Sequence, residues 1–135
     1  MRPILFIIFL LFIGRSEAQV QEIPDRIKST FTGTWGYKTR FQTNTVVIWF
    51  EPGKDYASFK DIGSGEAPPR TFQAQVKGMV LFIPAKQGIN DEIELEVVKG
   101  KLNLRARWIT WDNDGNILQK GNVETTFFKR IPDQY

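Results

Sequence analysis

The sequence contains no histidine and no cysteine, which removes most of the usual catalytic repertoire at once. Histidine is the side chain best suited to proton transfer near neutral pH and the commonest metal ligand. Without it, and without thiolates, neither a zinc site nor a Ser-His-Asp triad can be built. Ser58 and Ser64 therefore have no imidazole to activate them. Carboxylates remain: Asp55, Asp61, Glu92, Glu94, Glu96 and Glu124. A pair of these could act as acid and base only if burial drove their pKa values apart. The alternation of the chain puts most of them on the polar phase beside Lys and Arg, which reads as a solvated face with cross-strand ion pairs. Asp112-Asn113-Asp114-Gly115-Asn116 has the look of a calcium loop, but an EF-hand needs Gly at its sixth position and Glu at its twelfth. Those places hold Ile117 and Val123, and Asp-Gly reads instead as a hairpin turn. The expectation is a protein with no catalytic residues, no metal ligands and no cofactor.

Recognition is then the chemistry left, and its carriers are apolar and aromatic residues placed by alternation. Thr34 to Phe41 sets Trp35, Tyr37, Thr39 and Phe41 on one face, and Thr71 to Lys77 does the same for Phe72, Ala74 and Val76. Glu92 to Val98 opposes Ile93, Leu95 and Val97 to glutamates, and Lys101 to Trp111 opposes Leu102, Leu104, Ala106 and Trp108 to Asn103, Arg105 and Arg107. Period two is the signal of a half-buried strand. Further strands are read over Thr45–Glu51, Asp55–Ile62, Met79–Ile83 and Ile117–Arg130. The breaks between them are rich in Gly, Pro, Asn and Asp. About eight short strands at regular spacing predict an all-β domain, an antiparallel up-and-down barrel or a sandwich. A short N-terminal helix precedes them, with Pro24 in its first turn and Ile27 and Phe31 four apart on one face.

The beginning of the chain reads as an export signal. Met1-Arg2 carries the charge, Pro3 to Ile13 is apolar, and Ser16 and Ala18 are the small residues before a cleavage point. The apolar run is shorter than the ~20 residues needed to span a bilayer. The predicted domains are thus a signal peptide over residues 1–18 and one barrel domain over residues 19–135 that is secreted or periplasmic, with no membrane span after cleavage. The net charge of +3 comes from interspersed residues of both signs, so there is no electrostatic footprint for nucleic acid.

Phe31-Thr32-Gly33-Thr34-Trp35, a helical turn running into Gly-x-Trp at the head of the first strand, resembles the calycin superfamily of lipocalins, fatty-acid-binding proteins and avidins. The closing segment Phe127-Phe128-Lys129-Arg130 adds to the likeness. In lipocalins that Trp packs at the closed end of an eight-stranded barrel and a basic residue near the end of the last strand lies across it. The resemblance implies those roles for Trp35 and Arg130. Alternation from Val123, Thr125 and Phe127 turns Lys129 inward in place of Arg130 unless a bulge intervenes. The likeness has limits. The link after Phe41 is only Gln42-Thr43-Asn44, where lipocalins carry a long loop. The Thr-Asp pair that lipocalins place after the sixth strand is replaced by Lys99-Gly100-Lys101. Gly36-Tyr37-Lys38 also lacks the polar residues with which avidins hold biotin.

The long links fall at the end opposite Trp35, and loops at one end of a scaffold are where binding sites lie. The expected ligand-binding residues are Tyr37, Phe41, Phe72, Ile93, Trp108 and Thr110, around one small, mostly apolar molecule. The alternative is a barrel filled by its own side chains that works through its surface on a protein partner. The doubly apolar runs Val46–Phe50 and Met79–Ile83 would then serve a partner or homo-oligomer.

Overall fold

The computed structural model describes residues 22–132, so the expected signal peptide and its cleavage point lie outside the described residues. Helix α1 covers Asp25–Phe31. Eight strands follow: β1 Gly33–Lys38, β2 Thr43–Trp49, β3 Tyr56–Gly63, β4 Arg70–Lys77, β5 Val80–Ile83, β6 Glu92–Val98, β7 Lys101–Trp111 and β8 Ile117–Ile131. Each pairs antiparallel with the next, and β8 pairs back on β1, closing the barrel. The tightest link shows why the chain turns where it does. Lys99 and Gly100 have φ of 52° and 78°, the two positive values required by a two-residue hairpin that matches strand twist.

Register decides which side chains meet inside. Trp35 stands opposite Val46, and Ile48 opposite Phe59, which faces Phe72 in turn. Leu81, Leu95 and Leu104 form one row, and Leu102 faces Phe128. Ile23, Ile27 and Phe31 close the barrel end where β1 begins, so the core continues from the barrel into the helix. Burying each such side chain contributes about 1.5–3 kcal/mol.

Two expectations from alternation are corrected. The first strand ends at Lys38 rather than running to Phe41. Thr39 Oγ1 accepts hydrogen bonds from the Phe41 and Gln42 amides at 3.3 and 3.1 Å, which curls the backbone into a turn. The last strand has the opposite phase: Phe128 is buried while Val123 and Phe127 are 44 % and 54 % exposed. Phe128 opposes Leu102, Thr126 opposes Leu104 and Glu124 opposes Ala106. Apolar residues occur on both phases of β8, so hydrophobicity alone does not choose between them.

The barrel is laced unevenly. β4 meets β5 at Gln75–Phe82, Val76–Leu81 and Lys77–Val80, all beside the Gly78 turn. β1 meets β8 at Thr34–Ile131, Trp35–Arg130 and Gly36–Lys129, all beside the helix. Both seams are thus joined at the helix end and part toward the other. Two four-stranded halves, β1–β4 and β5–β8, share a closed end and splay at an open one.

Candidate functional site

At the closed end, a knot of side chains explains Gly-x-Trp in physical terms. Trp35 is fully buried and its Nε1 donates to the Phe31 carbonyl at 3.0 Å, tying the strand to the last turn of α1. The Arg130 guanidinium lies 4.3 Å from the centroid of the Trp35 ring. Its Nη2 donates to the Thr30 carbonyl at 2.9 Å, and its Nη1 donates to the Thr32 carbonyl. Arg130 thus satisfies carbonyls that a helix C-terminus leaves without partners. Gly33 makes room for it: a Cβ there would stand 2.7 Å from Arg130 Nη1, and the backbone φ of +141° already disfavours any other residue. Arg130 faces Trp35 directly across the sheet, whereas Lys129 stands opposite Gly36 on the other face. Once β8 takes its observed phase, no bulge is needed beside Arg130.

The bulge lies further along β8. Arg107 pairs with Val123 and Ile109 with Lys120, so Gly121 and Asn122 together stand opposite the single residue Trp108. The indole of Trp108 rests directly on Gly121, where any Cβ would overlap it. Trp108 follows Leu104 and Ala106 on the inward phase of β7, yet it is 49 % exposed. The other expected site residues within strands are spread over β1, β4, β6 and β7. Tyr37 is 37 % exposed and its ring lies 6.0 Å from that of Phe128. Phe72 lies 6.4 Å from buried Phe59, Ile93 faces Ala106, and Phe72, Ile93 and Thr110 are half-buried. Phe41 is not among them, because the turn at Thr39 leaves it 90 % exposed outside the wall.

A cleft lies at each splayed seam. One cleft of about 790 Å³ lies along β4 and the loop after β5, lined by Phe72, Gln73, Gln75, Val76, Ile83 and Ile89 among others. Another of about 400 Å³ lies along the outer face of the β1–β8 seam, where Gly36, Lys38, Phe127, Lys129 and Ile131 meet beside Tyr37. Phe72 belongs to the first and Tyr37 to the second. Trp108, Ile93 and Thr110 line neither.

The open half also holds polar groups that alternation in the sequence does not indicate. Asp61 is opposite Arg70 and shares the face of Val46, two residues from buried Phe59 in unbroken register with β2. Arg70 lies 4.9 Å over the Phe72 ring and donates from Nη1 to the Ile89 carbonyl at 2.8 Å, bridging the β4–β5 seam. Asp61 and Glu124 are therefore on the inward phase at the mouth, not on the outer face. Glu92, Glu94 and Glu96 form the cross-strand ion pairs that the sequence implies. Arg105 bonds Glu94 and, at 3.1 Å, Glu96, while Lys120 reaches Glu92 at 3.3 Å. The hydrogen bond to Glu94 raises the Arg105 pKa above its ordinary value, opposed by burial and aided by Glu96. Among the described residues no cluster of three or more carboxylates could hold a metal ion, and no helix is long and apolar enough to cross a membrane. Comparison with known protein families, characterised proteins and solved structures finds no match for this chain.

Proposed function

We propose that this chain is an exported, lipocalin-like binding module that holds a small, mostly apolar molecule in the open half of its barrel. One observation carries the reading: inward-facing aromatics change from fully buried to half exposed along the barrel axis. Trp35 and Phe59 are 0 % and 1 % exposed, while Tyr37, two residues beyond Trp35, and Trp108, two beyond Ala106, are 37 % and 49 % exposed. Large apolar surface is favourable to bury at about 25 cal/mol per Å², and Tyr37 and Trp108 leave such surface free for a ligand. Ligand sites are mostly apolar with a few placed polar groups. Here Phe72, Ile93 and Trp108 supply the first kind, and the Tyr37 hydroxyl, Thr110, Asp61 and Arg70 the second. The closed end holds the two halves in fixed register and takes no part in binding.

Binding rather than catalysis follows from the side chains available. The chain has no histidine, and Glu92, Glu94 and Glu96 are engaged with Arg105 and Lys120. The test is native mass spectrometry of the protein purified from its own host. A mass above that of the polypeptide, removed by organic extraction, is the expected result. A bare polypeptide that also takes up no apolar probe would refute the reading and favour a barrel that acts only through its surface.

A further inference from the structure

The last strand outruns its neighbour on one side. β8 is 15 residues long, but β1 meets it only at Lys129, Arg130 and Ile131. Continuing that register would bring Lys38 opposite Phe127, and β1 ends at Lys38. On the β1 side, residues 117–128 of β8 therefore have no ladder partner among the described residues. The other strand of the ribbon is protected. Ile109 and Trp111 of β7 share a cleft with Ile89 of the β5–β6 link, and Gly115 at the hairpin tip lies beside Gln87. β8 is left as a bare edge, whose free N–H and C=O groups can pair with another strand. Its composition does little to prevent this. Over residues 121–128 the sole charge is Glu124, and Val123, Thr125, Thr126, Phe127 and Phe128 all favour strands. Lys120 is turned away, onto Glu92.

We propose that this edge pairs with the same edge of a second copy of the chain, antiparallel about a two-fold axis at Thr125. Two-fold pairing matches residues of one face with each other, so the axis must pass through a residue. An axis at Glu124 sets two carboxylates opposite one another, which is unfavourable. An axis at Thr126 drives Val123 against Lys129, which Gly36 already occupies. An axis at Val123 carries the ladder across the bulge at Gly121 and Asn122. An axis at Thr125 sets Thr125 against its twin, Val123 against Phe127 and Glu124 against Thr126, with no like charges opposed. The ladder then spans residues 122–128 of each copy. It must stop at Gly121, which would meet the paired Lys129 of the second copy, and the bulge bends β8 at that same point. Val123 and Phe127 are exposed in the single chain, and each covers the other across the axis. The two β7–β8 ribbons become one four-stranded sheet, a sturdier unit than a two-stranded hairpin. The inference does not rest on the ligand reading, since the pairing uses the backbone edge and outer face of β8.

The test is sedimentation equilibrium of the exported protein over a range of concentrations. Wild type is expected to shift from monomer to dimer as concentration rises. Val123→Lys/Phe127→Lys sets like charges opposite each other across the axis and should raise the dimer dissociation constant at least roughly tenfold. Val123→Glu/Phe127→Lys sets opposite charges at the same places and should keep the dimer, which loss of apolar surface alone would not do. The chain has no cysteine, so Thr125→Cys puts a single thiol on the axis, and mild oxidation should link two copies. Gln73→Cys, on the outer face of β4, should give no link. Wild type that stays monomeric at millimolar concentration would overturn the proposal. So would a dimer that the two-lysine variant leaves intact, one that both charged variants abolish, or equal cross-linking through positions 73 and 125.

Discussion

Gly33→Ala is the sharpest probe of the closed end, because two separate effects converge on one hydrogen atom. The backbone φ of +141° is a conformation that residues with a Cβ rarely adopt, and holding one there costs about 1–3 kcal/mol. The new methyl would also stand 2.7 Å from Arg130 Nη1, so the guanidinium must move. Moving it breaks the hydrogen bonds to Thr30 and Thr32 and the stack over Trp35 at 4.3 Å. Arg130 is exposed, so the bonds contribute toward the low end of about 0.5–1.5 kcal/mol each and the stack about 0.5–1 kcal/mol. Gly33→Ala should therefore destabilise by roughly 2–5 kcal/mol. In an Arg130→Ala background only the backbone strain remains, and the same substitution should cost about 1–3 kcal/mol. Urea unfolding of the four proteins measures both values and their difference, a coupling of about 1–2 kcal/mol. Equal costs in the two backgrounds would refute the claim that Gly33 is there to admit Arg130.

Three further outcomes follow from the same geometry. Trp35→Ala removes a fully buried indole and its bond to Phe31, and thermal unfolding should report a loss of about 3–5 kcal/mol. Gly121→Ala must displace the Trp108 indole, which tryptophan emission or the Trp108 Nε1 proton shift in NMR should register; unchanged spectra would contradict the contact. Glu94→Gln weakens a partly exposed ion pair with Arg105, so stability should fall by no more than about 1 kcal/mol and less at high salt.

Sequence patterning resolves some elements of this barrel and misses others for identifiable reasons. β6 and β7 begin and end where alternation and the Lys99-Gly100 turn say they should, because charged and apolar residues alternate there without exception from Glu92 to Val97. β8 carries Val123 and Phe127 on one phase and Phe128 on the other, and only pairing with Leu102 decides which is inside. Phe41 continues the alternation of β1 on paper, but the Thr39 hydroxyl competes for the backbone and ends the strand. Arg130 could be matched to Trp35 through the calycin resemblance, yet the Gly33 contact that makes room for it depends on three-dimensional register. The splaying of the seams is the least legible feature. It arises from the shortness of β5 and of the β1–β8 pairing, properties of strands in combination rather than of any one segment.

The half-exposed Trp108 at the mouth is the residue on which the ligand reading turns. The direct measurement is titration of the wild-type protein and a Trp108→Ala variant with the apolar fluorophore N-phenyl-1-naphthylamine, alongside their melting curves. Because Trp108 is 49 % exposed in the free protein, its removal should lower stability by less than the ~3–5 kcal/mol of a buried aromatic. Affinity for the probe should nonetheless fall at least roughly tenfold, the equivalent of about 1.4 kcal/mol of lost contact. A variant that loses several kcal/mol of stability while binding the probe as well as wild type would contradict the account and make Trp108 a member of the core.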